Sequence, residues 1–250
     1  MKAKFGIWVL GLLLLGFGAC KDEDPKPFKP TVDMVINHDW IDSTLVLNKI
    51  YTWEHSFTTD TIKPTTLIYH INNIRLLTQD SLNIDAKHLY YMVDYNEGKV
   101  FPENIGFTAP WEGVKYYVTG MEFTIGVTDS LTSVSGGLNS QFLSPMYWGM
   151  IQGYINYKFE ALTNLNDAII YHIGGYLAPY QNARRVKVNF DKPYLLNESN
   201  VLTIRADIFK MFKSAHEISI PKINKIHMPN DDSKLIADNV AQMFEFVTLK

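Results

Sequence analysis

Between residues 44 and 207 one pattern recurs: a short run of β-branched and aromatic residues, then a turn signal. The runs fall at 44–47, 51–57, 66–77, 89–94, 115–127, 153–160, 169–173, 185–190 and 201–207. Side chains bulky near Cβ suit a pleated, half-buried surface, and runs this short are too brief for helices that cover a core. The last run alternates cleanly. Leu202, Ile204, Ala206 and Ile208 share one face, and Thr203, Arg205 and Asp207 share the other, so one face of that strand meets a core and one meets water. No repeat of fixed period and no Gly/Pro/Ser linker divides residues 32–250. The pattern predicts one domain over 32–250, mainly β, built as an antiparallel β-sandwich of the immunoglobulin-like or Greek-key type. A short C-terminal helix closes one end of it: Asp231, Asp232 and Ser233 offer capping oxygens, and Leu235, Ile236, Val240, Met243 and Phe244 fall near helical spacing. A shorter helix is expected over 207–212.

The N-terminus reads as an export signal rather than as fold. Lys2 and Lys4 precede an apolar run over 5–17, and Gly18 and Ala19 lead into Cys20, an order suited to a cleaved signal over 1–19. "FGAC" resembles a bacterial lipobox, with Phe17 where Leu is usual, and implies a lipid on Cys20 that holds the protein to a membrane. Cys20 is the single cysteine, so the exported domain stands on its core without an internal disulfide; about 220 residues suffice for that. Residues 20–31 hold "KDEDPKPFKP", too charged and proline-rich to pack, and read as a tether. "CKDED" resembles the sorting signal of surface-exposed lipoproteins in the Bacteroidetes. The expected location is the outer membrane, facing the periplasm or the cell surface. Formal charge falls from −3 to −5 once Lys2 and Lys4 are removed, and the absence of a basic cluster argues against nucleic acid as a partner.

Motifs that carry enzymatic mechanism are missing. The chain has no Gly-rich phosphate cradle and no G-x-S-x-G elbow, and "HEIS" at His216 lacks a second His four residues on. A non-enzymatic role is expected. The histidines are more informative. His38, His55, His70 and His172 lie in or beside predicted strands and close to aromatic residues, and alternation puts Tyr51, Trp53, His55 and Phe57 on one face. Neutral imidazole is a good copper ligand and needs no thiolate partner. The same residues also suit packed, hydrogen-bonded core positions. "SPMYWGMIQGYINYKFEA" poses the sharper question of why large rings sit among glycines: either the rings border a site, or the glycines relieve crowding in a sheet.

From residue 116 the segments "YYVTGMEFTIGVTDS", "GGLNSQFLSPMYWGMIQGYINYKFEA" and "IIYHIGGY" follow one another. With "LIYHINNIRLL" and "LYYMVDY" upstream and "ADNVAQMFEF" downstream, this order resembles the MbnP-like family of copper-binding proteins. Met150 stands where a second Trp is common, Thr128 where Asp is usual, and Ala161 where Gly is usual. The resemblance implies a copper-binding envelope protein. It also implies a haem peroxidase partner that oxidises a Trp to kynurenine beside the ion. On this reading His55 and His172 are ligands, His38 or His70 is a third, and Trp53 or Trp148 is the ring nearest the copper. The competing expectation is a surface lipoprotein without metal that grips a glycan or a protein partner.

Overall fold

The computed structural model describes residues 26–54, 59–128, 146–149 and 153–250. The signal over 1–19, Cys20 and His55 lie outside the described residues.

Two sheets face each other. In the smaller, β1 (Thr31–Trp40) is central, with β14 (Ser199–Asp207) and then β16 (Phe244–Leu249) on one side; β2 (Ser43–Thr44) and β8 (Gly106–Thr108) pair with its other side. The larger is organised by β4 (Thr59–Thr78), which pairs with β3 (Tyr51–Glu54), β5 (Ile84–Asp85), β6 (Tyr90–Asp94), β9 (Tyr117–Ile125) and β11 (Gly153–Thr163). β7 (Lys99–Phe101) adds to β6, and β10 (Tyr147–Gly149) and β12 (Ala168–Gly174) add to β11; β13 (Arg184–Leu195) lies beyond β9 and β15 (Lys225–Ile226) beyond β12. This is the mainly β sandwich that the alternating runs predict.

Strand periodicity sorts the side chains into two buried regions. One face of the large sheet turns Leu67, Tyr69, Ile71, Tyr157, Phe159, Tyr171 and Ile173 toward Met34, Leu202, Ile204 and Ala206 of the small sheet. Full burial of such a side chain contributes about 1.5–3 kcal/mol. The opposite face carries Ile68, His70 and Asn72. There Ile68, Tyr90, Met92, Val127, Met146, Tyr154 and Ile155 form a second, smaller cluster, with Phe101, Tyr147 and Trp148 packed on it.

Three local expectations change. Two pairings are parallel, β1 with β14 and β12 with β15; alternation is the same in either direction, so the sequence pattern does not distinguish them. The C-terminal helix, α1, spans Asp231–Val240 and is capped by Asn230, whose side chain accepts from the Ser233 N–H in a capping box. Met243 and Phe244 leave the helix, and Phe244 opens β16 instead. The short element after β14 is a 3-10 turn over Ile208–Met211, with Asp207 accepting from the Phe209 N–H. β1 was not among the expected runs, because its outward Asp33, Asn37 and Asp39 dilute the apolar alternation of Val32, Met34 and Ile36.

Candidate functional site

The outer cluster is built on a ladder. β4 and β6 pair so that His70 stands directly opposite Met92 and Asn72 opposite Tyr90. Directly opposed residues point to the same face with Cβ atoms about 4.5–5.5 Å apart. The neighbouring turn is locked by amides: Asn72 Nδ2 donates to the Gly126 carbonyl, Asn156 Oδ1 accepts from the Val127 N–H at 2.8 Å, and the Gly126 N–H donates to the His70 carbonyl at 2.7 Å. Gly126 has φ +98°, and a Cβ there would fall 2.5 Å from the Asn156 side chain. No other residue fits that position without moving the wall of the cluster.

β10 covers the cluster. It pairs antiparallel with the start of β11, Tyr147 opposite Tyr154, and the two rings pack with centroids 4.9 Å apart. Met146 is fully buried beneath it, and its carbonyl accepts from the Ile155 N–H at 2.9 Å. Trp148 lies flush on Gly174, where an added Cβ would sit 2.5 Å from the indole ring and 2.5 Å from the Tyr154 carbonyl. The glycine that one ring of 144–161 needs thus lies outside that stretch: a bare backbone position in β12 lets the Trp148 indole close over the sheet.

His70 is fully buried inside this wall. Its Nδ1 is hydrogen-bonded to the Tyr90 hydroxyl, and the Tyr154 ring meets it edge-on at 6.0 Å. Its Nε2 has no hydrogen-bond partner. Burial pushes its pKa down to about 3, so the imidazole stays neutral at physiological pH. An unpartnered buried nitrogen costs roughly 1–3 kcal/mol and calls for an explanation such as an ion or water.

The other expected residues are placed differently. His38, on β1, faces the inter-sheet side. Its Nε2 is 2.9 Å from the Tyr69 hydroxyl, and its ring lies 4.6 Å from that of Tyr95. Burial pushes its pKa down to about 4. It also lines a cavity of about 390 Å³ with Asp33, Asp94, Tyr95 and Lys99. Tyr69 and His70 are adjacent and so point to opposite faces of β4, which keeps His38 and His70 on opposite sides of the sheet. Trp53 is sealed in the core against Trp40, Phe209 and Phe212, and its unpartnered indole N–H can only donate.

His172 shares the outer face with His70, across β11. Its Nε2–H donates to Glu160 Oε1 at 2.8 Å, Lys158 Nζ stands 3.3 Å from the same oxygen, and Thr66 donates to Oε2 at 3.1 Å. The ring of His227 meets it edge-on at 5.7 Å. Burial lowers the pKa of His172, against the opposing pull of Glu160. Burial of Glu160 would raise its own pKa, but hydrogen bonds from His172, Lys158 and Thr66 hold it low. The Lys158 ammonium already balances this carboxylate and repels a second cation.

Of the expected set, the described residues bring His70 and Trp148 into one cluster, with His172 two residues along β12 from the glycine under Trp148. No group of three or more His, Cys, Asp or Glu converges among the described residues. Sequence reasoning missed Tyr90, Met92, Met146 and Tyr154. Period-2 alternation through Ile68, His70 and Asn72 marks the face, but only the register of β4 with β6 reveals what stands across from it.

A family comparison matches residues 29–229 to MbnP. Among curated proteins none matches. Among solved structures, MbnP from Methylosinus trichosporium is similar, with a TM-score of 0.49, 11% identity, and coverage of 77% of this chain and 80% of that one.

Proposed function

The chain belongs to the MbnP family, and from there we propose that it is a copper-binding protein of the cell envelope, held to the membrane by lipid on Cys20. The observation that carries the copper reading is the unpartnered Nε2 of a fully buried, neutral His70. The residues fit a monovalent ion. A ligating His commonly donates its other ring N–H to a fixed partner. In the tautomer whose Nδ1–H donates to the Tyr90 oxygen, Nε2 carries the lone pair and has no competing partner. The surrounding apolar side chains exclude water, and Tyr90 fixes the ring plane, so the imidazole meets its ligand without first shedding a hydrogen bond. Bound there, copper supplies a soft acceptor for the imidazole lone pair, and the protein's task is capture and retention.

A haem peroxidase partner and oxidation of a Trp to kynurenine belong to the same proposal. Reach favours Trp148, which is half-buried on the outer face, over Trp53, which is 7% exposed behind three other rings. Copper(I) titration against a chelator is the test, on wild type and on His70→Ala, His172→Ala and His55→Ala. Tight uptake by wild type that fails in His70→Ala alone is the expected result. Loss in His55→Ala and His172→Ala with retention in His70→Ala would move the site to those residues. No uptake by wild type would leave the metal-free surface lipoprotein as the reading. For the anchor, Cys20→Ala is expected in the soluble fraction of cells that hold wild type in the membrane fraction; unchanged fractionation would rule out the lipid.

A further inference from the structure

We infer that the thioether sulfurs of Met92 and Met146 complete the coordination at His70, so that the outer cluster is a site for a soft monovalent cation rather than a divalent one. The inference rests on the copper reading above and deepens it. Three observations carry it. Met92 is the direct cross-strand partner of His70, so the two side chains rise side by side from the same face. Met146 is fully buried in the same cluster, one residue before Tyr147, whose ring packs on Tyr154, the ring that meets His70 edge-on. His70 Nε2, on the same sheet face, is buried and has no hydrogen-bond partner.

Methionine content alone would say little. Met121, Met211 and Met243 also lie in the main core, where a thioether serves as a supple filler. None of those sits across a ladder from an imidazole with a free nitrogen. Charge then decides which ion the outer site takes. Among the described residues Asp207, on the small sheet, is the one buried carboxylate, so a divalent ion would bring two uncompensated charges into this apolar cluster. A monovalent ion brings one. Thioether sulfur selects copper(I), and neutral imidazole accepts copper beside it. The pocket thus differs from the His172–Glu160–Lys158 group, whose formal charges are already balanced.

The experiment uses the exported protein with 13C-labelled methionine methyl groups and titrates silver(I), a diamagnetic stand-in for copper(I), in parallel with chelator competition for copper(I) itself. The methyl signals of Met92 and Met146 are expected to shift on addition of silver(I), while those of Met121, Met211 and Met243 stay in place. Met92→Leu and Met146→Leu conserve volume and so should fold. Each is expected to weaken copper(I) binding at least about 10-fold, the low end of what loss of even an outer-sphere partner costs a metal site. Zinc(II) at the same concentration is expected to leave the methyl signals unmoved. If wild type binds copper(I) and loses it on His70→Ala, yet both Leu variants bind as wild type does and neither methyl shifts, the thioether assignment is overturned and the copper reading stands. If wild type binds neither copper(I) nor silver(I), both fall together.

Discussion

The two buried regions of this molecule each enclose a histidine, and they treat it in opposite ways. His38, beside the inter-sheet core, has its Nε2 within 2.9 Å of the Tyr69 hydroxyl. His70, in the outer cluster, is more deeply buried and keeps Nε2 unpartnered. The main core has orphaned atoms too, Trp40 Nε1 and Trp53 Nε1, but an indole N–H only donates. His70 Nε2 is a ring nitrogen that can hold a lone pair; Asn182 Oδ1, also without a partner, is a hard amide oxygen elsewhere in the fold. Burial alone therefore does not mark a site in this fold. What marks it is the kind of atom left without a partner, and how much rigid structure is spent keeping it so.

The largest expected effect tests whether both imidazoles are as dry as their surroundings imply. Their folded pKa values, about 4 for His38 and about 3 for His70, lie below the usual 6.5. Between those limits the unfolded chain binds protons that the folded chain refuses. Stability is therefore full above about pH 6.5 and falls as pH drops, and each ring is expected to cost about 2–3 kcal/mol by pH 4.5. Urea unfolding at pH 7 and pH 4.5 reads the loss; a flat profile would mean that water reaches the rings and would dissolve the contrast between regions.

A smaller effect separates the two rings. His38→Leu strands the Tyr69 hydroxyl in the core and is expected to lower stability by about 1–3 kcal/mol. The counterpart in the outer cluster is His70→Leu made together with Tyr90→Phe, which removes both members of a pair. Removing both polar partners is often close to neutral, so this double variant is expected to match wild type in urea while losing copper(I). If the outer pair proves as costly to remove as His38, the cluster is a second structural core and not a binding pocket.

Much of the fold is legible in the residues. The alternation over 201–207 gives β14 and its buried face, and Asp231 to Val240 gives the helix. The end of that helix is less legible for a local reason: apolar spacing runs on through Met243 and Phe244, but the chain leaves the helix after Val240. The site is legible only in its parts. His70 and Trp148 stand out by type, yet that they share a cluster depends on β10 pairing with β11 and β11 with β4. Register between distant strands is set by the packing of whole faces, and neither Met92 nor Met146 carries a local mark of its neighbour.

The parallel pairing of β1 with β14 has a consequence in time. Thr31 is matched with Ser199 and Asp39 with Asp207, so the first strand of the domain has no neighbour on that side until nearly the whole chain is available. The β1 edge stays open while the large sheet, whose strands meet over shorter loops, is free to assemble. Closing so distant a contact is entropically slow. In a chain that emerges end first, β1 is the oldest strand and among the last to be seated. Until then its unpaired amides and carbonyls are a template for another strand. The carboxylates of Asp33, exposed in the finished fold, and Asp39, half-buried there beside Arg205, give that strand charge during the wait.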